Sequence, residues 1–194
     1  SDPHVANGGL QMLDGNFGKA VIKISAVAAD RQRISAPAAI FNDEAAVKAA
    51  YADGKLDRDV VVVVRGQGPQ ANGMPELHSL TPILSNLQDS GFAVALVTDG
   101  RMSGASGTVP AAIHVTPEAV AGGAIGRLQD GDMITLDAVA GRLETDADLA
   151  KRVAAGPSNM APQRGFARPL FQHMRNSAAP AEQGGGLPPR KDIS

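Results

Sequence analysis

Cysteine is absent from the 194 residues of this chain. Disulfides, thiol nucleophiles and any zinc or iron–sulfur site held by the chain's own thiolates are therefore excluded. Tryptophan is absent too, tyrosine occurs once, and aromatic residues make up only 3%. The core must then be built from Val, Ile, Leu and Ala, with glycine permitting close backbone approach. No apolar run reaches the roughly 20 residues that a membrane-spanning helix needs. The opening residues, SDPHVANGG, are polar and turn-like and carry no signal-peptide pattern. Nor is there a charge excess: 18 Lys and Arg stand against 20 Asp and Glu, a formal net charge of −2. A nucleic-acid binder gathers basic residues on one face, so neither nucleic acid nor a membrane is expected as a partner. A cytoplasmic address is the default expectation.

Hydrophobic residues make up 43% and charged residues 20% of the sequence, as in one soluble globular domain with a real core. Ala20–Ala28 reads as a first strand and Ala38–Phe41 as a short second one. Asn42 or Asp43 caps a helix over Glu44–Ala52, which Asp53-Gly54 stops. Val60–Val64 is an unbroken valine run, the signature of a central strand buried on both faces. A helix over Leu80–Leu87 and a strand over Ala93–Val97 complete a parallel β-α-β unit. Thr116-Pro117-Glu118 reads as a helix start. Ile125–Leu128, Met133–Ala138 and Arg142–Thr145 read as short strands, and Asp146 caps a last helix to about Ala155. From residue 156 periodicity is lost. A docking segment with Phe166, Leu170 and Phe171 is expected there, with a loose tail after Ser177. The domain plan is thus a β-rich α/β domain over 1–155 and a docking segment with tail over 156–194.

Two glycine-rich loops each follow a buried strand, where open α/β sheets place their ligands. The first, 65–78, offers Arg65, Gln67, Asn72, Glu76 and His78. The second, 98–108, offers Asp99, Arg101, Ser103, Ser106 and Thr108. Such loops can aim backbone N–H groups at an anion, and the two arginines can add charge-assisted bonds. The plainer alternative is a pair of tight turns. A glycine-flanked serine is usually a turn residue, Glu76 suits a helix start, and His78 and His114 read more simply as packing or surface residues. No GxSxG elbow, Walker loop or HExxH helix is present.

The strings GPQANGMPELH (68–78) and VTDGRMSGASG (97–107) resemble the dihydroxy-acid and 6-phosphogluconate dehydratase family. NGGLQMLDGNFGKAVIKISAV (7–27) and LQDGDMITLDAVAGRLE (128–144) support the likeness. The loops ANGMPELH and RMSGASG, followed by VPAAIHVTPEA (109–119), are more similar to the 6-phosphogluconate branch than to the branched-chain amino-acid branch.

The resemblance implies a swivelling β/α barrel similar to the C-terminal domain of aconitase. It also implies a larger N-terminal domain, not present in this chain, whose cysteines hold an iron–sulfur cluster. The activity implied is loss of water from a sugar acid, 6-phospho-D-gluconate giving 2-keto-3-deoxy-6-phosphogluconate. Ser103 matches the proposed base of the family, and Glu76 matches a carboxylate that binds magnesium in related dehydratases. Position and charge alone nominate Arg65, Gln67, Asn72, Arg101 and Ser106 as substrate contacts. Expected partners are the sugar acid, the protein's own N-terminal domain and a second copy in a homodimer, and the chain alone is expected to be inactive. The alternatives are another dihydroxy acid or aldonate as substrate, a non-catalytic ligand-binding module, or an oligomerisation domain.

Overall fold

The computed structural model describes residues 8–103, 107–155 and 167–187. Eight strands close into a barrel in the order β1-β2-β6-β5-β4-β3-β7-β8. They are β1 (Leu10–Gly15), β2 (Gly18–Lys23), β3 (Arg33–Phe41), β4 (Val60–Val64), β5 (Val94–Thr98), β6 (Ala111–Thr116), β7 (Met133–Asp137) and β8 (Arg142–Thr145). β3, β4, β5 and β6 run parallel, and the pairs β1–β2, β2–β6, β3–β7 and β7–β8 are antiparallel. One parallel bridge, Asp14 to Arg142, closes the seam between β1 and β8. The sheet thus has no free edge left to protect.

The valine run shows how composition becomes architecture. Val61 and Val63 belong to the cluster that fills the barrel, with Leu13, Ile22, Ala36, Ala95, Val97, Ile134 and Leu143. Val60, Val62 and Val64 belong to a second cluster, under α1 (Glu44–Ala52) and α3 (Thr81–Asp89), with Val47, Leu80, Leu84 and Leu87. Strand side chains alternate between faces, so only a strand with apolar layers on both sides needs every position apolar. β4 lies between β3 and β5 with all five valines buried, as the sequence predicts for a central strand. Asp43 caps α1 as predicted, its carboxylate accepting from the Ala46 amide at 2.8 Å.

Some expectations give way. The first strand stops at Lys23, and β1, paired with it through a tight turn, was not legible. Thr116 ends β6, and instead of a helix the chain makes a cis Thr116–Pro117 bond and a single 3-10 turn at Ala119–Ala121. Ile125–Leu128 is no strand: Ala124–Arg127 forms a 3-10 turn, and the carbonyls of Gly126 and Leu128 accept from Arg65. The helix expected after Asp146 is reduced to a 3-10 turn at Leu149–Lys151. There the chain is drawn out by Arg152, which forks onto both oxygens of Asp132 at 2.5 and 2.9 Å. Beyond the barrel, α2 is a one-turn helix (Pro69–Asn72) and α4 spans Ala167–Asn176. Phe166 lies outside the described residues. Over 178–187, where composition predicts a loose tail, the chain forms a 3-10 turn at Ala181–Gln183 and binds the barrel through Gln70, whose Nε2 donates to the Ala178 carbonyl at 3.0 Å.

Burial opposes ionisation of Asp132, but the Arg152 fork and the Gln129 amide outweigh it and hold its carboxyl below the usual range. A depressed carboxylate stabilises the fold above its unfolded pKa, about 3.9 for Asp, and that contribution is lost as pH falls through the folded value. Urea unfolding of the wild type and Asp132→Asn should therefore differ most at neutral pH, with the gap shrinking below about pH 4. A constant gap across that range would assign the effect to packing instead.

Candidate functional site

The four parallel strands end side by side, and each hands its next residues to one rim: Asn42 after β3, Arg65 after β4, Asp99 after β5, and cis-Pro117 with Glu118 after β6. At the centre is Asp99, with no exposed surface. Its carboxylate accepts from the amides of Gly66 at 3.0 Å, Gln67 at 2.9 Å and Ala119 at 3.0 Å, so a single side chain joins three loops. Burial pushes its carboxyl up, against the opposing pull of those N–H groups. Glu118, 5% exposed, accepts from the Gln70 amide at 2.9 Å and the Ala71 amide at 3.0 Å. Burial raises its carboxyl as well, against the same two bonds.

Four amides of the first glycine-rich loop, those of Gly66, Gln67, Gln70 and Ala71, are therefore occupied, and their acceptors are the protein's own carboxylates. Gly68 belongs to this arrangement: a Cβ there would sit 2.3 Å from a Glu118 oxygen. The same holds at Gly100, where a Cβ would come within 2.6 Å of the Gln67 side chain.

The nominated side chains fall into two groups. Arg65, Gln67 and Asn72 brace one another and the frame. Arg65 donates to the Asn42 side chain at 3.2 Å and to the carbonyls of Gly126 and Leu128 at 3.2 and 3.0 Å. Gln67 donates to the Asn42 carbonyl at 2.6 Å and accepts from Asn72 at 2.9 Å. The second group is Glu76, Arg101 and Ser103, which the fold brings together across the two loops. Glu76 and Arg101 form a parallel bridge, and the Leu77 amide donates to the Arg101 carbonyl at 3.1 Å. The Arg101 guanidinium reaches the Met74 carbonyl at 2.8 Å and lies 3.6 Å from the Glu76 carboxylate. That carboxylate in turn accepts from the Ser103 amide. Met102, buried against Thr81, anchors the chain one residue before Ser103. Ser106 lies outside the described residues.

Ser103 opens onto a cavity of about 150 Å³ lined by Leu10, Val21, Lys23, Met102, Val109 and Ile113 among others. Lys23, at the end of β2, brings a cation to it and was not singled out from the sequence. Its place in an alternating strand, Lys19-Ala20-Val21-Ile22-Lys23, made it look like an ordinary outward residue. Glu118 was missed for a similar reason, because TPE reads as a helix start. Of the histidines, His114 is half-buried with φ 57, its amide donating to the Gly100 carbonyl at 2.9 Å. Burial and the nearby Arg101 charge hold its imidazole below the usual value.

No residue of this chain can ligate an iron–sulfur cluster through sulfur of cysteine. Among the described residues no group of three or more His, Asp or Glu is placed to hold a metal. Glu76 is a single hard oxygen ligand, already engaged by Ser103 and Arg101.

The model of the dihydroxy-acid/6-phosphogluconate dehydratase C-terminal family matches residues 1–185. The chain belongs to this family. Among its relatives, the phosphogluconate dehydratase of Pseudomonas aeruginosa is 55% identical over 184 residues, 94% of this chain and 30% of that protein. The phosphogluconate dehydratase of Escherichia coli K12 is 50% identical over 185 residues, again 94% of this chain and 31% of that protein. A dihydroxy-acid dehydratase of Solidesulfovibrio magneticus is 39% identical over 189 residues, 94% of this chain and 33% of that protein. The chain thus spans about a third of the length of these relatives. The family motifs quoted from its sequence fall on the two loops joined by Asp99.

Removing the Asp99 carboxylate orphans three buried amides. Asp99→Ala should lower the unfolding free energy by about 3 kcal/mol or more, at about 1–3 kcal/mol for each unsatisfied group. Urea denaturation followed by circular dichroism reads this, and a loss under about 1 kcal/mol would mean that water satisfies the amides.

Proposed function

We propose that this chain is the C-terminal part of a 6-phosphogluconate dehydratase, supplying the base and part of the substrate grip for loss of water from 6-phospho-D-gluconate. The observation that carries this reading is the junction of the two loops, where the Ser103 amide meets the Glu76 carboxylate beside a cavity with a lysine on its wall. The identity to phosphogluconate dehydratases supports the substrate, being higher than that to the dihydroxy-acid dehydratase.

In this reaction a base takes the proton at C2, the hydroxyl at C3 departs, and the enol tautomerises to 2-keto-3-deoxy-6-phosphogluconate. Ser103 is the proposed base. An ordinary serine hydroxyl is far too weak a base at neutral pH. Positive charge nearby favours its alkoxide, and Lys23 on the wall of the same cavity and Arg101, two residues earlier in the loop, are the proposed sources of it. Lys23 is the proposed partner of the C1 carboxylate, on which negative charge builds as the C2 proton leaves. Arg101 and Ser106 remain proposed substrate contacts, with Arg65, Gln67 and Asn72 shaping the rim behind them. The implied iron–sulfur cluster, and any magnesium shared with Glu76, belong in this reading to the N-terminal remainder of the protein. The work of this chain is substrate grip and proton removal.

The closed eight-stranded barrel with its few helices supports the likeness to the swivelling domain of aconitase. Docking of the N-terminal domain on this side of the barrel is supported by exposed apolar residues of β1, Leu10 on the wall of the Ser103 cavity (54% exposed) and Met12 (62% exposed). A homodimer and a cytoplasmic location complete the reading.

The test is anaerobic turnover of 6-phosphogluconate by the full-length parent. Ser103→Ala should lower kcat by about 10²–10⁴-fold, the range of a general base, with the fold retained. Near-full activity of that variant would remove Ser103 from the mechanism. Turnover of an unphosphorylated dihydroxy acid in place of 6-phosphogluconate would move the chain to the other branch of the family. Lys23→Met should lower kcat/KM for 6-phosphogluconate and for gluconate by similar factors. A loss confined to the phosphorylated acid would place Lys23 at the phosphate instead.

A further inference from the structure

Glu118 lies in neither family loop, yet the segment that delivers Glu76 hangs from it. That segment begins at Pro69, and its amides at Gln70 and Ala71 both donate to the Glu118 carboxylate. It then passes through two consecutive residues in the left-handed region, Gly73 at φ 72 and Met74 at φ 53. A methionine rarely takes this conformation unless its surroundings impose it. The far end is pinned at Glu76 by Arg101, through the bridge, the Met74 carbonyl and the ion pair. So the Glu118 carboxylate holds the start of the span 69–76 and the Arg101–Ser103 loop its end, with side-chain bonds from Gln70 to Ala178 and from Asn72 to Gln67 between them.

The Glu118 anchor is itself held. Its backbone leads directly into Ala119, whose amide donates to Asp99. Gly68 leaves room for the carboxylate, since a Cβ there would lie 2.3 Å from its oxygen. Among the described residues Glu118 makes no salt bridge, so its charge is met by the two amides, as a bound anion would be.

We propose that Glu118 is a positioning residue, an internal anion that sets where Glu76 meets Ser103. The proposal rests on the dehydratase reading for its kinetic consequence but not for its structural one. Glu118 touches no reacting atom. Losing it removes the partner of the first two amides of the 69–76 span and loosens the placement of Glu76 against the Ser103 amide, and displacements of about 1 Å can lower turnover about 100-fold. Because the variant keeps two amides aimed into a carboxylate-sized space, a small carboxylate should be able to take the vacated position.

The test pairs two preparations. In the full-length parent, Glu118→Ala should lower kcat for 6-phosphogluconate about 100-fold with KM changed by less than about threefold. Added formate should restore kcat saturably in the variant and leave the wild type unchanged. In the 194-residue chain, formate should raise the Tm of Glu118→Ala and not that of the wild type. Should Glu118→Ala fail to fold, Glu118→Gln, which keeps one acceptor and turns an N–H2 towards the other amide, should show the same kcat-only loss. Unchanged kcat in either variant would overturn the proposal. So would a kcat loss that formate leaves untouched, or equal losses in kcat and KM. Absence of turnover in the wild type would sink the dehydratase reading alone, and the formate-dependent Tm would still decide whether Glu118 acts as an internal anion.

Discussion

Everything at the strand ends depends on one buried carboxylate. Asp99 stands where β5 stops, and its two oxygens hold the first amides of the loop after β4 and the amide of the residue after Glu118, beyond β6. A buried carboxyl group is costly unless hydrogen bonds replace its water. Here three amides from two other loops do so. Through those three bonds the loops and the carboxylate hold each other in place. The same logic repeats one layer out, where Glu118 meets the amides of Gln70 and Ala71.

This filling withdraws those amides from any ligand at the rim. Glycine-rich loops at strand ends commonly turn their N–H groups towards a ligand. In this chain those at Gly66, Gln67, Gln70 and Ala71 face inward to Asp99 and Glu118, and the barrel presents cationic side chains instead. Arg101 reaches across to the Glu76 loop, and Lys23, at the end of β2, lines the cavity that Ser103 lines. Arg65, Gln67 and Asn72 brace the rim, bonding Asn42, the 126–128 carbonyls and each other.

Legibility followed the range of the interaction. α1 was readable to the residue because its cap bond spans three positions, Asp43 to Ala46. β4 and β5 were readable because continuous valine and alanine runs report burial on both faces. β1 was not, because Leu10-Gln11-Met12-Leu13 leaves two of its large apolar residues, Leu10 and Met12, facing solvent. The expected strand at Ile125–Leu128 and the helix after Asp146 failed for a common reason. Arg65 claims the carbonyls of the first and Asp132 draws out the second through Arg152, and both partners come from distant parts of the chain. Glu76 and Ser103 were named from their motifs, whereas Lys23 and Glu118 had no local signal.

The sequence by itself determined the class of core, the central parallel strands, the two glycine-rich loops and the family. Each of these is written in patterns a few residues long: β-branched runs, a cap, glycine spacing, two motifs. Only the tertiary structure decided which carboxylates the loops would wrap. Asp99 meets Gly66 and Gln67 from 33 and 32 residues away, and Glu118 meets Gln70 and Ala71 from 48 and 47. A hydrogen bond forms only within about 3 Å. Until the barrel closes and brings four strand ends to one rim, nothing in the order of the residues says which amide will be that near to which acid.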